Sequence, residues 1–252
     1  MNDKFNGICL KKTSYKDNAE MLSLFTLERG RLNCALIGAK KPNAKLKFCG
    51  ESFCFAEYVL SEKSDRRSVI EANEIDCFYG LREDIDRYYS AAVAAEFLLS
   101  FLPEGESNYD LFLLTVRSLK NIEVSAQPYL ALVYFLIGAL NSIGYLIDFG
   151  SCGNCGGEIE NRAFFDFDDS SALCSDCAGA GATEIRTDTY HLIKTVSSKD
   201  IDFFNNADKS TYSGVFTDKK TMVNALKFFD YYMSVNLGSS VKTLKTLIEM
   251  NK

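Results

Sequence analysis

The chain has 252 residues, 47% hydrophobic and 25% charged, a balance typical of a soluble globular protein and not of a low-complexity or repetitive polymer. Its length admits one large domain or two modest ones. The net charge of −6 is unevenly spread. Residues 1–50 hold ten Lys/Arg and four Asp/Glu, a net +6, so the other 202 residues carry −12. A basic head on an acidic body points to a polyanion at the head, or to an ordinary solvated surface.

The first eighty residues read as strands. Apolar runs cover residues 5–10, 21–27 and 31–39, the last alternating Leu32, Cys34 and Leu36 with Arg31, Asn33 and Ala35. A long aromatic strand is expected over 48–60, bent at Gly50, and a fifth over 67–72. Five short strands with turn residues between them suggest a small antiparallel barrel of the OB type, although periodicity alone does not separate this from an SH3-like barrel. From Leu81 the period becomes helical. Ile85, Tyr89, Ala92, Leu99 and Leu102 fall on one face and Pro103 ends the run; Leu111, Leu114, Leu119 and Ile122 mark a second helix. Residues 129–147 carry no charge. That length could cross a bilayer, but Asn141, Ser142, two glycines and three tyrosines favour the buried central helix of a bundle. Further helices are expected over 189–198, after an N-cap at Asp218, and over 241–250. The fold class is therefore α+β: an OB-type barrel over 1–79, then a mainly helical domain over 80–252 with a metal-binding insert at about 150–180.

That insert carries the strongest motif. Cys152 and Cys155 form one C-x-x-C, and Cys174 and Cys177 form another eighteen residues later. Two such knuckles supply four thiolates in a tetrahedron, the pattern of a structural Zn2+ site with no position left for a catalytic water. Two disulfides would need an oxidising compartment, and a redox C-x-x-C needs no second pair. Residues 162–167 read as a short hairpin between the knuckles, turning at 168–171. The other five cysteines, Cys9, Cys34, Cys49, Cys54 and Cys77, lie among apolar residues without matching spacing and read as buried free thiols. With no secretory signal visible at the N-terminus, the expected setting is the cytoplasm.

The inventory of catalytic parts is thin. His191 is the one histidine and has no nucleophile motif beside it. P-loop, dinucleotide and deaminase signatures are absent. The chain reads as a binding protein and not an enzyme. Its basic loop, residues 40–47, places Lys40, Lys41, Lys45 and Lys47 within eight positions, with Arg29 and Arg31 at the preceding turn and Lys11 and Lys12 in the first strand. Barrels of this type track a nucleic-acid backbone with a cationic groove.

Several stretches resemble the RecO recombination-mediator family: G-I-C-L-K-K-T-S-Y-K-D-N-A, then L-F-T-L-E-R-G-R-L-N-C-A-L-I-G-A-K-K, then C-G-N-C and C-S-D-C, and finally L-K-F-F-D-Y-Y-M-S-V-N-L-G, in that order. The resemblance spans essentially the whole chain. It implies a non-enzymatic bacterial DNA-repair protein that binds single- and double-stranded DNA, anneals strands, and works with RecR to load RecA onto DNA coated by the single-strand-binding protein. The implied site of action is the cytoplasm, on the nucleoid during repair. The implied DNA contacts are Arg31, Lys40, Lys41, Lys45 and Lys47, with Lys11, Lys12 and Arg29 as further positions; the implied partner of the helical domain is the single-strand-binding protein's acidic tail. The family's closing motif often has His where this chain has Asn236. A reading from another class is a zinc-ribbon adaptor or transcription regulator that contacts only proteins.

Overall fold

The structure, a computed structural model, describes residues 2–41, 44–63, 66–198 and 218–251. Five strands, β1 (Asn2–Tyr15), β2 (Ala19–Thr26), β3 (Gly30–Ile37), β4 (Phe55–Lys63) and β5 (Arg66–Asp76), close into a barrel in the order β1-β2-β3-β5-β4. The long β1 makes closure possible. Its first half pairs antiparallel with β4 and its second with β2, across an irregularity between Cys9 and Lys11. A parallel pair, Ala35 with Ser68, joins β3 to β5. Period-2 alternation turns Leu22, Leu24, Leu32, Cys34 and Leu36 inward around Tyr58. The buried Tyr58 hydroxyl donates to the Cys49 carbonyl at 2.7 Å.

Two expectations are corrected here. The fourth strand starts at Phe55, not Phe48; Phe48–Gly50 is a single 3-10 turn. A Cβ on Gly50 would lie 3.0 Å from a methyl of Leu36 and 3.4 Å from one of Leu22. The backbone therefore crosses tight against these core side chains before the strand begins. Cys54 and Cys77 are not free thiols but bonded to each other. The β4–β5 ladder pairs Phe55 with Asp76, so the next residues outward meet side by side. Sequence spacing hides this because 23 positions separate them. Cys9, Cys34 and Cys49 are free and buried, as read; burial pushes the Cys34 and Cys49 thiols up to about 12.

The helices are α1 (Ile85–Phe101), α2 (Tyr109–Val124), α3 (Pro128–Ser142), α4 (Thr187–Ser197), α5 (Lys219–Asn236) and α6 (Lys242–Glu249). Asp84, Asn108 and Asp218 cap α1, α2 and α5 by accepting from backbone amides in the first turn. In α1 the buried face runs through Ala91, Val93, Ala94, Phe97 and Leu98, and Ile85 is exposed. The apolar stripe expected from the large residues is thus rotated, because the small alanines let neighbouring helices approach. The uncharged run forms α3, buried at the centre of the bundle. Its Gly138 lies so close to Leu114 that a Cβ there would sit 2.7 Å from a leucine methyl. No helix among the described residues is long and apolar enough to cross a membrane.

The barrel keeps its own interior core, but part of its wall joins the core of the bundle. Ile8, Leu10, Phe25 and Phe53 pack with the helices, and Phe112 of α2 meets Phe25 and Phe55 at 5.5 and 5.8 Å between ring centres. At the other side of this seam Gly30 adopts φ +63°, and a Cβ there would fall 1.9 Å from the Glu106 carbonyl oxygen. Only glycine serves at that position.

Candidate metal centre and nucleic-acid interface

A small sheet, β6 (Ala163–Asp166), β7 (Ser171–Cys174) and β8 (Thr183–Ile185), in the order β7-β6-β8, frames the two knuckles. The expected hairpin is β6–β7; β8 follows the second knuckle after Gly179 and Gly181. The first knuckle closes with Gly156 N donating to Cys152 O (2.8 Å) and Cys152 N to Gly157 O (2.9 Å); the second closes with Ala178 N donating to Cys174 O (3.0 Å). Gly153 N donates to Ala172 O on β7, at 2.9 Å. A Cβ on Gly153 would stand 2.5 Å from the Ser171 hydroxyl, so glycine is what lets the knuckle lie against the strand.

The sulfurs of Cys152, Cys155, Cys174 and Cys177 all lie within 4.8 Å of one another, and those of Cys155 and Cys174 are 3.9 Å apart. A tetrahedron with metal–sulfur bonds of about 2.3 Å has sulfurs about 3.8 Å apart. The spacing is too long for disulfides and right for a shared cation, so these four cysteines could hold a metal ion. Burial alone would push the Cys152 thiol up, but the amides of Cys174, Cys155 and Asn154 point at its sulfur and bring it down to about 6. The hydrogen bond with Cys174 leads the causes that push Cys177 up to about 12. A cation would replace the protons these thiols share.

Aromatic packing fastens the cysteine-bearing hairpin to α5. Phe165 stacks on Phe149 at 5.2 Å and meets Phe228 edge-on at 4.9 Å. Phe167 meets Tyr231 at 4.8 Å. The hairpin turn is held by polar groups: Asn236 Nδ2 donates to Phe167 O (2.8 Å), and the Ser170 and Tyr232 hydroxyls bond at 2.8 Å. Asn236 thus has a structural task that its position in the closing motif did not reveal.

The basic residues divide between the two ends of β3. At its C-terminal end the chain coils through successive turns: Lys41 N donates to Gly38 O, Ala44 N to Lys41 O, Lys47 N to Ala44 O and Gly50 N to Lys47 O. Lys40, Lys41, Lys45 and Lys47 are all exposed along this coil. Lys40 Nζ donates to Ser14 Oγ (2.8 Å) and Lys16 O (3.2 Å), which brings the coil against the β1–β2 hairpin. Lys16, which sequence reasoning passed over, therefore joins the group; Lys11 and Lys12 lie on the same hairpin. Lys12 is paired with Glu51 at 2.8 Å. Pro42 and Asn43 of this loop lie outside the described residues.

Arg29 and Arg31 are elsewhere. Eight residues of strand at about 3.3 Å each put Gly30 about 23 Å from Ile37. Arg29 pairs with Asp3 at 2.9 Å and Glu62 at 3.5 Å. Arg31 Nε donates to Leu102 O at 3.0 Å and its Nη1 lies 3.8 Å from Glu104, at the seam beside Gly30. His191 lies on α4 with its ring 5.2 Å from that of Tyr190.

Comparison with known proteins agrees with this architecture. Residues 1–78 match the profile of the family described as Recombination protein O N terminal, and residues 82–245 that of Recombination protein O C terminal. The boundary falls in the short link between barrel and α1. The DNA repair protein RecO of Desulforamulus reducens is 31% identical over 176 residues, 69% of this chain and 68% of its own length. Its counterpart in Clostridium novyi is 27% identical over 249 residues, 96% of this chain and 92% of its own. That of Caldicellulosiruptor bescii is 25% identical over 202 residues, 80% and 83% of the two chains. With both profiles matched in order across the N-terminal OB-type barrel and the helical body, the chain belongs to the Recombination protein O (RecO) family of DNA repair proteins.

Proposed function

We propose that the protein is a non-enzymatic recombination mediator that binds single- and double-stranded DNA and anneals complementary strands. With RecR it helps load RecA onto DNA coated by the single-strand-binding protein. The observation that carries this reading is the lysine coil packed on the end of the β1–β2 hairpin of an OB-type barrel. Lys40, Lys41, Lys45 and Lys47, with Lys16, Lys11 and Lys12, form the proposed phosphate track. Arg29 and Arg31 reach DNA only if the strand follows β3 to the barrel's other end. In this reading residues 1–79 bind DNA and residues 80–252 bind proteins, and the work is done in the cytoplasm. The four cysteines hold one Zn2+, which supplies no chemistry to a reaction; it fixes the hairpin against α5.

Phosphate contacts are electrostatic and indifferent to base sequence. Lys40→Glu combined with Lys41→Glu is expected to weaken single-stranded DNA binding more than tenfold in fluorescence anisotropy, with zinc content and melting temperature unchanged. Unaltered affinity in a folded double variant would place DNA on another face.

For the acidic, apolar-ended tail of the single-strand-binding protein, the proposed dock is the start of α1 against the end of α2. Ile85 and Val124 are 59% and 57% exposed there, and Arg87 Nη2 donates to Ser125 O at 3.5 Å, so a cation stands beside the apolar pair. Calorimetry with the tail peptide and the full chain is expected to show binding that Arg87→Glu removes; equal binding by that variant would move the dock elsewhere.

A further inference from the structure

Cys54 and Cys77 occupy an unusual place. Both sulfurs belong to the barrel core, whereas their neighbours Phe53 and Phe78 belong to the helical core. Here two chain segments pass from one core to the other, as β1 does at Ile8 and Cys9 and β2 at Leu24 and Phe25, and a covalent bond ties these two at the crossing. Phe53 and Phe78 both take left-handed backbone conformations, φ 72° and 43°, which cost a bulky residue energy and persist only where surroundings impose them. Arg82 spans the same two segments. Its guanidinium donates to the carbonyls of Cys77 (2.9 Å) and Ser52, and stands 5.9 Å from the Phe53 ring centre.

The remaining cysteines suit a reducing setting. Cys9, Cys34 and Cys49 are free, and a metal tetrad needs four thiolates. A disulfide in such a setting is more often a transient, redox-sensing bond than a permanent staple. We propose that Cys54 and Cys77 form a reversible dithiol–disulfide couple, oxidised by peroxide, that locks the joint between barrel and helices.

One thiolate attacks hydrogen peroxide; the O–O bond breaks, leaving a sulfenic acid and hydroxide, which takes up the proton the thiol released. The second thiol's sulfur then displaces hydroxide from the sulfenic sulfur and its proton completes another water. Two thiols and one peroxide become one disulfide and two waters, and a small dithiol reverses the change by exchange. Both cysteines are essentially fully buried, 0% and 1% exposed, so peroxide gains access only when the joint opens. Closing the bond then removes that opening. The inference is independent of where DNA binds.

The test uses the full-length, zinc-loaded protein. Cells are quenched in acid, free thiols are alkylated, and peptides are mapped by mass spectrometry before and after the purified protein meets hydrogen peroxide. Cys54 and Cys77 are expected to be alkylated at harvest and joined after peroxide, while Cys9, Cys34 and Cys49 stay alkylatable. Joining is expected to raise the melting temperature by roughly 5–10 °C, a rise that dithiothreitol reverses and that Cys77→Ala lacks. A chromogenic chelator follows zinc release separately. The proposal fails if the pair is already joined at harvest, if peroxide strips the zinc before joining them, or if joining leaves the melting temperature unmoved. These readings come from the native sequence and stand even if the variant does not fold.

Discussion

Asp230 shows what one side chain costs in this fold. It lies on α5, and its Oδ1 is buried with no hydrogen-bond partner among the described residues. Desolvation holds its carboxyl above the ordinary value, and the charge of Lys245 only partly opposes this. The folded state therefore favours the protonated form. Its contribution to stability is fully present below the unfolded carboxylate value near 4 and is lost as pH rises through the higher folded value. Asp230→Asn is expected to raise stability at pH 7 by about 0.5 kcal/mol, since solvent screens a partly exposed carboxyl. Melting curves from pH 3.5 to 7.5 check this: the gain should vanish at the acid end, and a variant less stable at pH 7 would show that the charged carboxylate has a favourable role.

The cysteine hairpin is the element whose stability is least its own. Its strands have four, four and three residues, too short to persist without the knuckles or the aromatic wall of α5. Cys174→Ser is expected to abolish zinc binding and cost more than about 4 kcal/mol, the size of loss associated with a missing metal. Elemental analysis and calorimetric melting check both, and a variant that keeps its zinc and its melting temperature would refute the four-sulfur assignment. The cysteine spacing made this centre legible in the sequence, because a knuckle is a local structure. What fastens it was not legible. Phe149, Phe165, Phe228 and Tyr232 come from segments as far apart as positions 149 and 232, and nothing in any one segment announces the others. The same limit explains Cys54 with Cys77, whose meeting depends on strand register. It also explains the displaced start of the fourth strand, which follows from packing on Leu22 and Leu36.

Across the whole molecule the charge division now has a place. The coil and hairpin lysines of the basic first fifty residues gather at one end of the barrel, while acidic residues dominate the helical body. DNA binding should weaken steeply with salt, and each lysine that touches phosphate should reduce the magnitude of the log–log salt slope by about one when replaced. The Lys40→Glu, Lys41→Glu pair should thus flatten that slope as well as lower affinity; an unchanged slope would mean that neither lysine meets a phosphate. The barrel, the order of the helices and the lysine cluster were readable from alternation, period and composition. The separation of Arg29 and Arg31 from the lysines was not, since neighbours in sequence stand at opposite ends of a strand.

The seam at Gly30, Phe25 and Phe112 has a mechanical consequence. Because part of the barrel wall packs into the helical core and Gly30 meets the Glu106 backbone too closely for any side chain, barrel and helices meet at a packed joint and not as two beads on a string. On the proposed reading, a strand at the lysine end would keep a set distance and bearing from whatever docks on the helices for as long as that joint stays closed.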